Sequence, residues 1–154
     1  MDPILILDAD KYITWSLKTN LETCQYPVVV ADTLESAMRN FSEFQVSGLI
    51  TEYSVGSVST LEAIRKLKNT SPEAYVMMVT DKEMKDDEYE EIIQSGVDDY
   101  FLKPTPFRKI LLHLKKGLKF RNFLIEKKTL ERAMEALYSS KGDGVAKIGG
   151  SLSV

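Results

Sequence analysis

Five short apolar runs alternate with segments of helical periodicity along the first two thirds of this chain. The runs are continuous and rich in branched or aromatic residues, which is typical of strands buried on both faces. They are PILIL at 3–7, YPVVVA at 26–31, GLIT at 48–51, AYVMMVT at 74–80 and DYFLK at 99–103. Strands that alternate with helices in this way predict a parallel sheet covered by helices on both faces.

Four amphipathic segments separate the five runs. Apolar residues recur at helical spacing in segments 11–24, 33–44, 59–68 and 83–95. Asp32 or Thr33 suits the N-cap of the second segment, and Gly96 follows the fourth where a C-cap glycine is expected. A fifth helix is predicted after Pro104.

Length and composition predict one soluble domain. The chain has 154 residues, 28% of them charged, and its single cysteine, Cys24, cannot form an internal disulfide. The sequence contains no recognisable export signal and no apolar stretch long enough to cross a bilayer. We therefore expect a cytoplasmic protein without membrane partners.

Polar residues stand at the C-terminal ends of four of the predicted strands. In doubly wound sheets, functional groups gather at these ends. The residues are Asp8, Ala9 and Asp10 after the first strand, Glu52 after the third, Thr80 and Asp81 at the fourth, and Lys103 before Pro104 at the fifth. Carboxylates, a hydroxyl and an ammonium are thus expected to converge on one rim.

These pieces resemble the receiver domain of two-component response regulators, of the CheY-like kind, over residues 3 to roughly 118. The matching stretches are ILILDAD, GLITEYSVGSVSTLEAI, MMVTDKE and DDYFLKPTPF. The resemblance implies a flavodoxin-like (βα)5 fold with sheet order 2-1-3-4-5, counting the five predicted strands. It also implies a signalling domain that is not an enzyme.

The resemblance assigns a role to each residue of the rim. In the family, an aspartate after the third strand accepts a phosphoryl group from a histidine kinase or phosphotransfer protein, and acidic residues after the first strand help to hold Mg²⁺. Thr80 and Lys103 match the residues that contact the phosphoryl group. Thr80 and Tyr100 match the pair that switches with activation and alters the surface read by a downstream protein effector.

Two positions depart from the family pattern. Glu52 occupies the phosphoacceptor position, and Ala9 replaces a carboxylate that touches the metal. The remaining candidate metal ligands are Asp8, Asp10 and Glu52, so Mg²⁺ binding is expected to be weakened. The extra methylene of Glu52 displaces its carboxylate by roughly 1 Å, and a misplacement of that size can cost about a hundredfold in rate.

Three interpretations of Glu52 remain open at this point. Glu52 could be a phosphomimic that accepts hydrogen bonds from Thr80 and Lys103, although a phosphoryl group carries more charge. It could belong to a retired site in which Glu52 and Lys103 form a structural ion pair. It could also still accept a phosphoryl group slowly, or stand where substitution has replaced an aspartate.

The charges are distributed unevenly along the chain. Residues 1–104 carry a net charge of −10, whereas residues 105–138 carry +6. The acidic helix EMKDDEYEEII and the basic run FRKILLHLKKGLKFR would complement each other in a symmetric homodimer. The alternative is that both are ordinary solvated faces.

The segment after Pro104 is longer than a receiver requires. Apolar residues continue through Phe123, Leu130, Met134 and Leu137, which predicts a helix of some thirty residues or two shorter helices. We divide the chain into a receiver at 1–118, a helical extension at 119–139 that could form a coiled coil, and a flexible tail at 140–154.

Two other functional classes are less favoured. Nucleic-acid binding is unlikely because there is no separate helix-turn-helix unit and the sequence pI is about 5.3. A flavodoxin-like protein that binds a small ligand is the second alternative, although no glycine-rich phosphate loop follows the first strand.

Overall fold

The computed structural model describes residues 1–145, with side chains through Lys141. Twelve elements follow one another in this part of the chain. They are β1 (Ile4–Leu7), α1 (Lys11–Thr23), β2 (Val28–Ala31), α2 (Leu34–Glu43), β3 (Gly48–Thr51), β4 (Ser54–Val55), β5 (Val58–Ser59), α3 (Leu61–Thr70), β6 (Tyr75–Thr80), α4 (Asp86–Ser95), β7 (Asp99–Leu102) and α5 (Phe107–Val145).

Five strands form one parallel sheet in the order β2-β1-β3-β6-β7. This is the predicted order, because β6 and β7 are the fourth and fifth strands of the sheet. The register places Leu7 beside Thr51, Thr51 beside Met78, and Thr80 beside Leu102. The C-terminal ends of β1, β3, β6 and β7 therefore open onto the same edge of the sheet.

The sheet is buried on both faces because alternate side chains of each strand pack against different helices. Leu5, Leu49 and Met78 lie in a core cluster that includes residues of α2, α3 and α4. Ile6 and Met77 lie in a second cluster, which includes residues of α1 and α5. Continuous apolar strands are required by this three-layer arrangement, as the sequence predicted.

Helix ends follow the predicted capping residues. Thr33 is the N-cap of α2, and its hydroxyl accepts a hydrogen bond from the Ser36 amide at 3.1 Å. Gly96 ends α4 with a left-handed φ of 112°, a conformation that favours glycine.

A small hairpin between β3 and α3 was not predicted. Strands β4 and β5 pair antiparallel around Gly56 and Ser57, whose φ angles are 55° and 64°. Two consecutive residues with positive φ make the tight turn that suits the twist of a hairpin. The signal was the Gly-Ser pair between two valines in the sequence VGSV.

Helix α5 is a single element of 39 residues, so the predicted extended helix is confirmed and the alternative of two shorter helices is excluded. It includes residues 140–145, which were assigned to a flexible tail, and the rest of that tail lies outside the described residues. The chain divides into two compact units, Met1–Arg121 and Asn122–Val154. No helix within residues 1–145 is long and apolar enough to cross a membrane.

Tyr75 packs closely against α5 at Gly117. A Cβ atom added at Gly117 would overlap the Tyr75 ring, so the helix can approach β6 only because this residue is glycine. The Tyr75 hydroxyl donates a hydrogen bond to the Asp99 carboxylate at the start of β7. Helix and sheet are thereby joined at the edge opposite the C-terminal strand ends.

We predict that Gly117→Ala lowers the free energy of unfolding by up to about 2 kcal/mol. Alanine favours a helix by about 1 kcal/mol, but overpacking against a buried ring costs about 1–3 kcal/mol. Urea unfolding of the two proteins measures the difference. In a Tyr75→Ala background the same substitution should be neutral or stabilising, and an equal loss in both backgrounds would contradict this explanation.

Candidate functional site

Three strands of the sheet deliver the charged residues of the candidate site. Asp8 follows β1, Glu52 follows β3 and Lys103 follows β7. Two backbone hydrogen bonds extend the pairing beyond the strands, from the Glu52 amide to the Leu7 carbonyl at 2.9 Å and from the Lys103 amide to the Thr80 carbonyl at 2.8 Å. The sheet itself therefore fixes the positions from which these side chains start.

The Lys103 ammonium bridges the two carboxylates. Its Nζ lies 2.8 Å from Glu52 Oε2 and 2.9 Å from Asp8 Oδ2. The side chains of Lys103, Glu52 and Asp8 are only 16%, 13% and 9% exposed. One positive charge thus compensates two largely buried negative charges through short, charge-assisted hydrogen bonds.

These contacts determine the protonation of Lys103. Burial alone would lower the pKa of its ammonium, but hydrogen bonds to Glu52 and Asp8 and the charges of both carboxylates outweigh burial and raise the pKa above its usual value. Lys103 therefore stays positively charged throughout the neutral range.

The remaining carboxylate oxygens receive backbone hydrogen bonds. Glu52 Oε1 accepts from the Tyr53 amide at 2.7 Å, and Asp8 Oδ1 accepts from the Asp10 amide at 2.9 Å. The buried Thr60 hydroxyl donates to the Glu52 carbonyl at 2.6 Å and so supports the backbone of the site. Sequence reasoning missed Thr60, whose only signal is its hydroxyl directly before the apolar start of α3.

Asp10 does not join this cluster. Its side chain is the N-cap of α1, where Oδ1 accepts hydrogen bonds from the amides of Tyr12 at 2.9 Å and Ile13 at 3.1 Å. Among the described residues, no hydrogen bond or ion pair connects Asp10 to Glu52 or Lys103 through its side chain. Its position directly before Lys11, the first helical residue, is a normal capping position.

The residues present do not fit a Mg²⁺ site. Asp8 and Glu52 supply carboxylates, but both are bound to the Lys103 ammonium and to backbone amides, and Ala9 supplies no ligand. Within the described part of the chain, no group of three or more histidine, cysteine, aspartate or glutamate side chains is arranged to hold a metal ion. Mg²⁺ is usually held by one or two carboxylates together with several waters, and here both candidate carboxylates are already paired with the Lys103 ammonium.

Thr80 lies at the end of β6, beside the cluster, and is buried. Its Oγ1 accepts a hydrogen bond from the Lys82 amide at 3.1 Å. Within the described residues, Thr80 makes no hydrogen bond to Glu52. Of the two contacts expected for Glu52, the one with Lys103 is therefore present and the one with Thr80 is not.

Tyr100 turns toward the loop that follows Thr80. Its ring packs against a core cluster and meets the Tyr89 ring edge-on, with 5.2 Å between centroids. The Tyr100 hydroxyl donates a hydrogen bond to the Lys82 carbonyl at 2.7 Å. Residue 82 therefore links the two predicted switch residues, because its amide binds Thr80 and its carbonyl binds Tyr100.

We predict that Lys103→Met lowers the free energy of unfolding by about 3–5 kcal/mol. The substitution keeps an unbranched side chain but leaves two buried carboxylates without their shared cation. Urea unfolding at neutral pH measures the loss. Lys82→Met is the matched control, because its ion pair with Glu88 is more exposed, at 43% and 22%, and should be worth less than about 1 kcal/mol. Similar losses for the two variants would argue against a special role for Lys103.

We also predict that Tyr100 ionises far above the usual range of tyrosine. Burial, the adjacent Tyr89 and nearby carboxylates raise the pKa of Tyr100 to about 12. Because the folded-state pKa lies above the unfolded value of about 10, the associated stability is complete below pH 10 and is lost as pH rises toward 12. The pKa values of Tyr26 and Tyr75 are also raised, chiefly by burial, so more than one phenolate should appear late in an absorbance titration. The phase near pH 12 should disappear in Tyr100→Phe while the phases of the other two remain, and an unchanged titration curve would refute the assignment.

The comparisons with known proteins agree on one family. The profile described as "Response regulator receiver domain" matches residues 4–115. The heme response regulator HssR of Staphylococcus saprophyticus is 27% identical over 122 residues, which are 79% of this chain and 54% of that protein. The chain thus spans about half the length of this relative.

Solved structures share the fold. The CheY-like response regulator receiver domain protein from Methanospirillum hungatei JF-1 superposes with a TM-score of 0.74 at 24% identity, over 79% of this chain and 97% of that one. The beryllofluoride-activated NtrC4 receiver domain dimer gives 0.71 at 24% identity, over 79% and 99%. Together with the profile match over most of its length, these findings show that the chain belongs to the response regulator receiver domain family of two-component signal transduction.

Proposed function

We propose that this receiver signals without phosphoryl transfer, because Glu52 acts as a permanent, partial substitute for a phosphorylated aspartate. The observation that carries the proposal is the 2.8 Å contact between Glu52 Oε2 and Lys103 Nζ. In the family, the matching lysine contacts the phosphoryl group. Here Lys103 contacts the Glu52 carboxylate, which belongs to the chain itself.

Charge limits how far this substitution goes. A carboxylate brings one negative charge, whereas a phosphoryl group brings about two charges and a third acceptor oxygen. Thr80 has its hydrogen bond with the Lys82 amide instead of Glu52. The mimicry we propose therefore acts through Lys103. The β6–α4 loop is held by Tyr100, whose hydroxyl binds the Lys82 carbonyl.

The position of Tyr100 supports a state close to the active one. Its ring packs against a core cluster and its hydroxyl donates a hydrogen bond to the Lys82 carbonyl. In the family, inward rotation of the matching aromatic residue accompanies activation. We infer that the Glu52–Lys103 pair favours the inward population of Tyr100.

A metal ion is not required in this scheme. Lys103 supplies a positive charge to both Asp8 and Glu52, so the negative charges of the two carboxylates are compensated without Mg²⁺. The domain would act by binding partners and not as an enzyme.

The surface formed by α4, β7 and α5 is the proposed partner-binding face. Each of these elements carries at least one exposed large apolar side chain, such as Ile93, Leu102 and Leu112 respectively. The exposed acidic residues of α4 are Asp86, Asp87, Glu90 and Glu91, and the exposed basic residues of α5 in the first unit are Arg108, Lys109, Lys115, Lys116 and Lys119. This composition favours a downstream protein effector or a second copy of the chain, whose acidic helix would meet the basic helix of its partner.

Intact mass after incubation with Mg²⁺ and acetyl phosphate tests the proposal. The unmodified protein should gain no phosphoryl group, because the Glu52 carboxylate is displaced and paired with Lys103. Glu52→Asp, or Glu52→Asp combined with Ala9→Asp where a metal ligand is also needed, should gain one. A gain by the unmodified protein that Glu52→Gln abolishes would mean that Glu52 still accepts phosphate and that the proposal is wrong.

A second readout separates mimicry from a retired ion pair. If Glu52 maintains the active arrangement, Glu52→Gln weakens its contact with Lys103 and should shift the Tyr100 ring resonances in an NMR spectrum. The Tyr26 ring, which is remote from the site in the packing of the sheet, serves as the internal control. Unchanged Tyr100 resonances would favour a purely structural pair.

A further inference from the structure

The second unit carries a narrow apolar stripe along α5. Phe123, Leu130 and Leu137 recur at seven-residue intervals, and Met134 lies four residues after Leu130 and three before Leu137. Leu130, Met134 and Leu137 are 62%, 61% and 59% exposed. Every described residue from Glu126 to Lys141 is exposed, so this part of the helix does not bury its stripe within the described chain.

The spacing of the stripe corresponds to the a and d positions of a heptad. With Phe123, Leu130 and Leu137 at d, the a positions are Lys127, Met134 and Lys141. A helix that packs on a globular core carries a wider apolar face, whereas a strict a/d seam is the pattern of helices that pair with one another.

We propose that the second unit pairs with the same segment of a second copy of this chain, as a parallel, in-register, two-stranded coiled coil over residues 123–141. The seam is self-complementary because each layer repeats in the partner. This inference goes beyond the proposed function and does not depend on how Glu52 is interpreted.

Lys127 specifies the orientation of the pair. A polar residue at an a position favours one register over others at some cost in stability, and Lys141 occupies a second such position at the end of the seam. In an antiparallel pair, a positions face d positions, so Lys127 would face an apolar residue in any aligned register. In the parallel pair, the two copies of Lys127 share one layer and each can place its ammonium in solvent.

The charges beside this layer complement Lys127. Glu126 and Glu131 occupy the g and e positions that flank the seam, where they would face each other across a parallel pair. Two glutamates alone would repel, but the Lys127 ammonium of the opposite copy lies between them. The Lys127 layer and the flanking charges of Glu126 and Glu131 therefore favour the same parallel arrangement.

Sedimentation of the full chain measures the association. The chain should dimerise, and Leu130→Lys should weaken the association at least tenfold, because it adds a third charged layer to the seam, directly beside that of Lys127. Thr129→Lys places the same residue at the adjacent c position, outside the seam, and should leave the association unchanged. A monomeric parent chain, or a dimer that resists Leu130→Lys, would overturn the proposal.

The second of these outcomes separates the coiled coil from pairing through the first unit. A dimer that resists Leu130→Lys but dissociates when the exposed charges of α4 are reversed would place the contact on the α4–β7–α5 face. Neither result bears on phosphoryl transfer, which the intact-mass experiment measures. Circular dichroism of each variant verifies that the receiver remains folded.

Cross-linking determines the orientation. In a Cys24→Ser background, Met134→Cys should form a disulfide-linked dimer under mild oxidation, because residue 134 meets itself only in a parallel, in-register pair. Arg132→Cys, on the outer face, is the control and should not cross-link under the same conditions. Cross-linking of Met134→Cys only with added Phe123→Cys protein would indicate an antiparallel pair and overturn the assignment.

Discussion

The ion pairs of the Lys103 ammonium with Asp8 and Glu52 hold together the edge of the sheet at which the candidate site lies. The ammonium joins residues that follow three different strands, and both of its carboxylate partners are largely buried. Without this cation, Asp8 and Glu52 would repel each other in a medium that screens charge poorly. The same bond uses the lysine that a phosphoryl group would need, so the stability of the edge and its response to phosphate compete for one side chain.

The backbone at Lys82 connects this edge to the surface of the domain. Its amide hydrogen bonds to Thr80, and its carbonyl accepts from Tyr100. Movement of Thr80 toward the carboxylates would have to displace this peptide and would thereby disturb the Tyr100 hydroxyl. A shared peptide of this kind would couple the two sites if it had a second arrangement that both of them bias, which is the requirement for coupling.

Much of this arrangement could be predicted from the sequence, because buried parallel strands leave a strong signal. The continuous apolar runs indicated the sheet, and the strand ends indicated which residues would meet, as they do for Asp8, Glu52 and Lys103. Side-chain choices were harder to predict. Asp10 was considered a metal ligand, but a carboxylate directly before a helix can satisfy two free amides at once, and that local gain determines its direction. The continuity of α5 was equally obscure, because a glycine in mid-helix is ambiguous until its close neighbour, Tyr75, is known.

A glutamate in place of a phosphorylated aspartate changes how the domain can be regulated. A phosphoryl group can be added and removed, so the population of a switch varies with kinase activity. A glutamate is permanent, and under the proposed function the balance between Tyr100 conformations is set by the covalent chain. A ligand shifts such a balance only by its differential affinity for the two states. Binding of a partner to the α4–β7–α5 face and association of the chain are then the remaining variables, and both depend on concentration. The state of such a receiver would depend on the concentration of its partner and not on the extent of its phosphorylation.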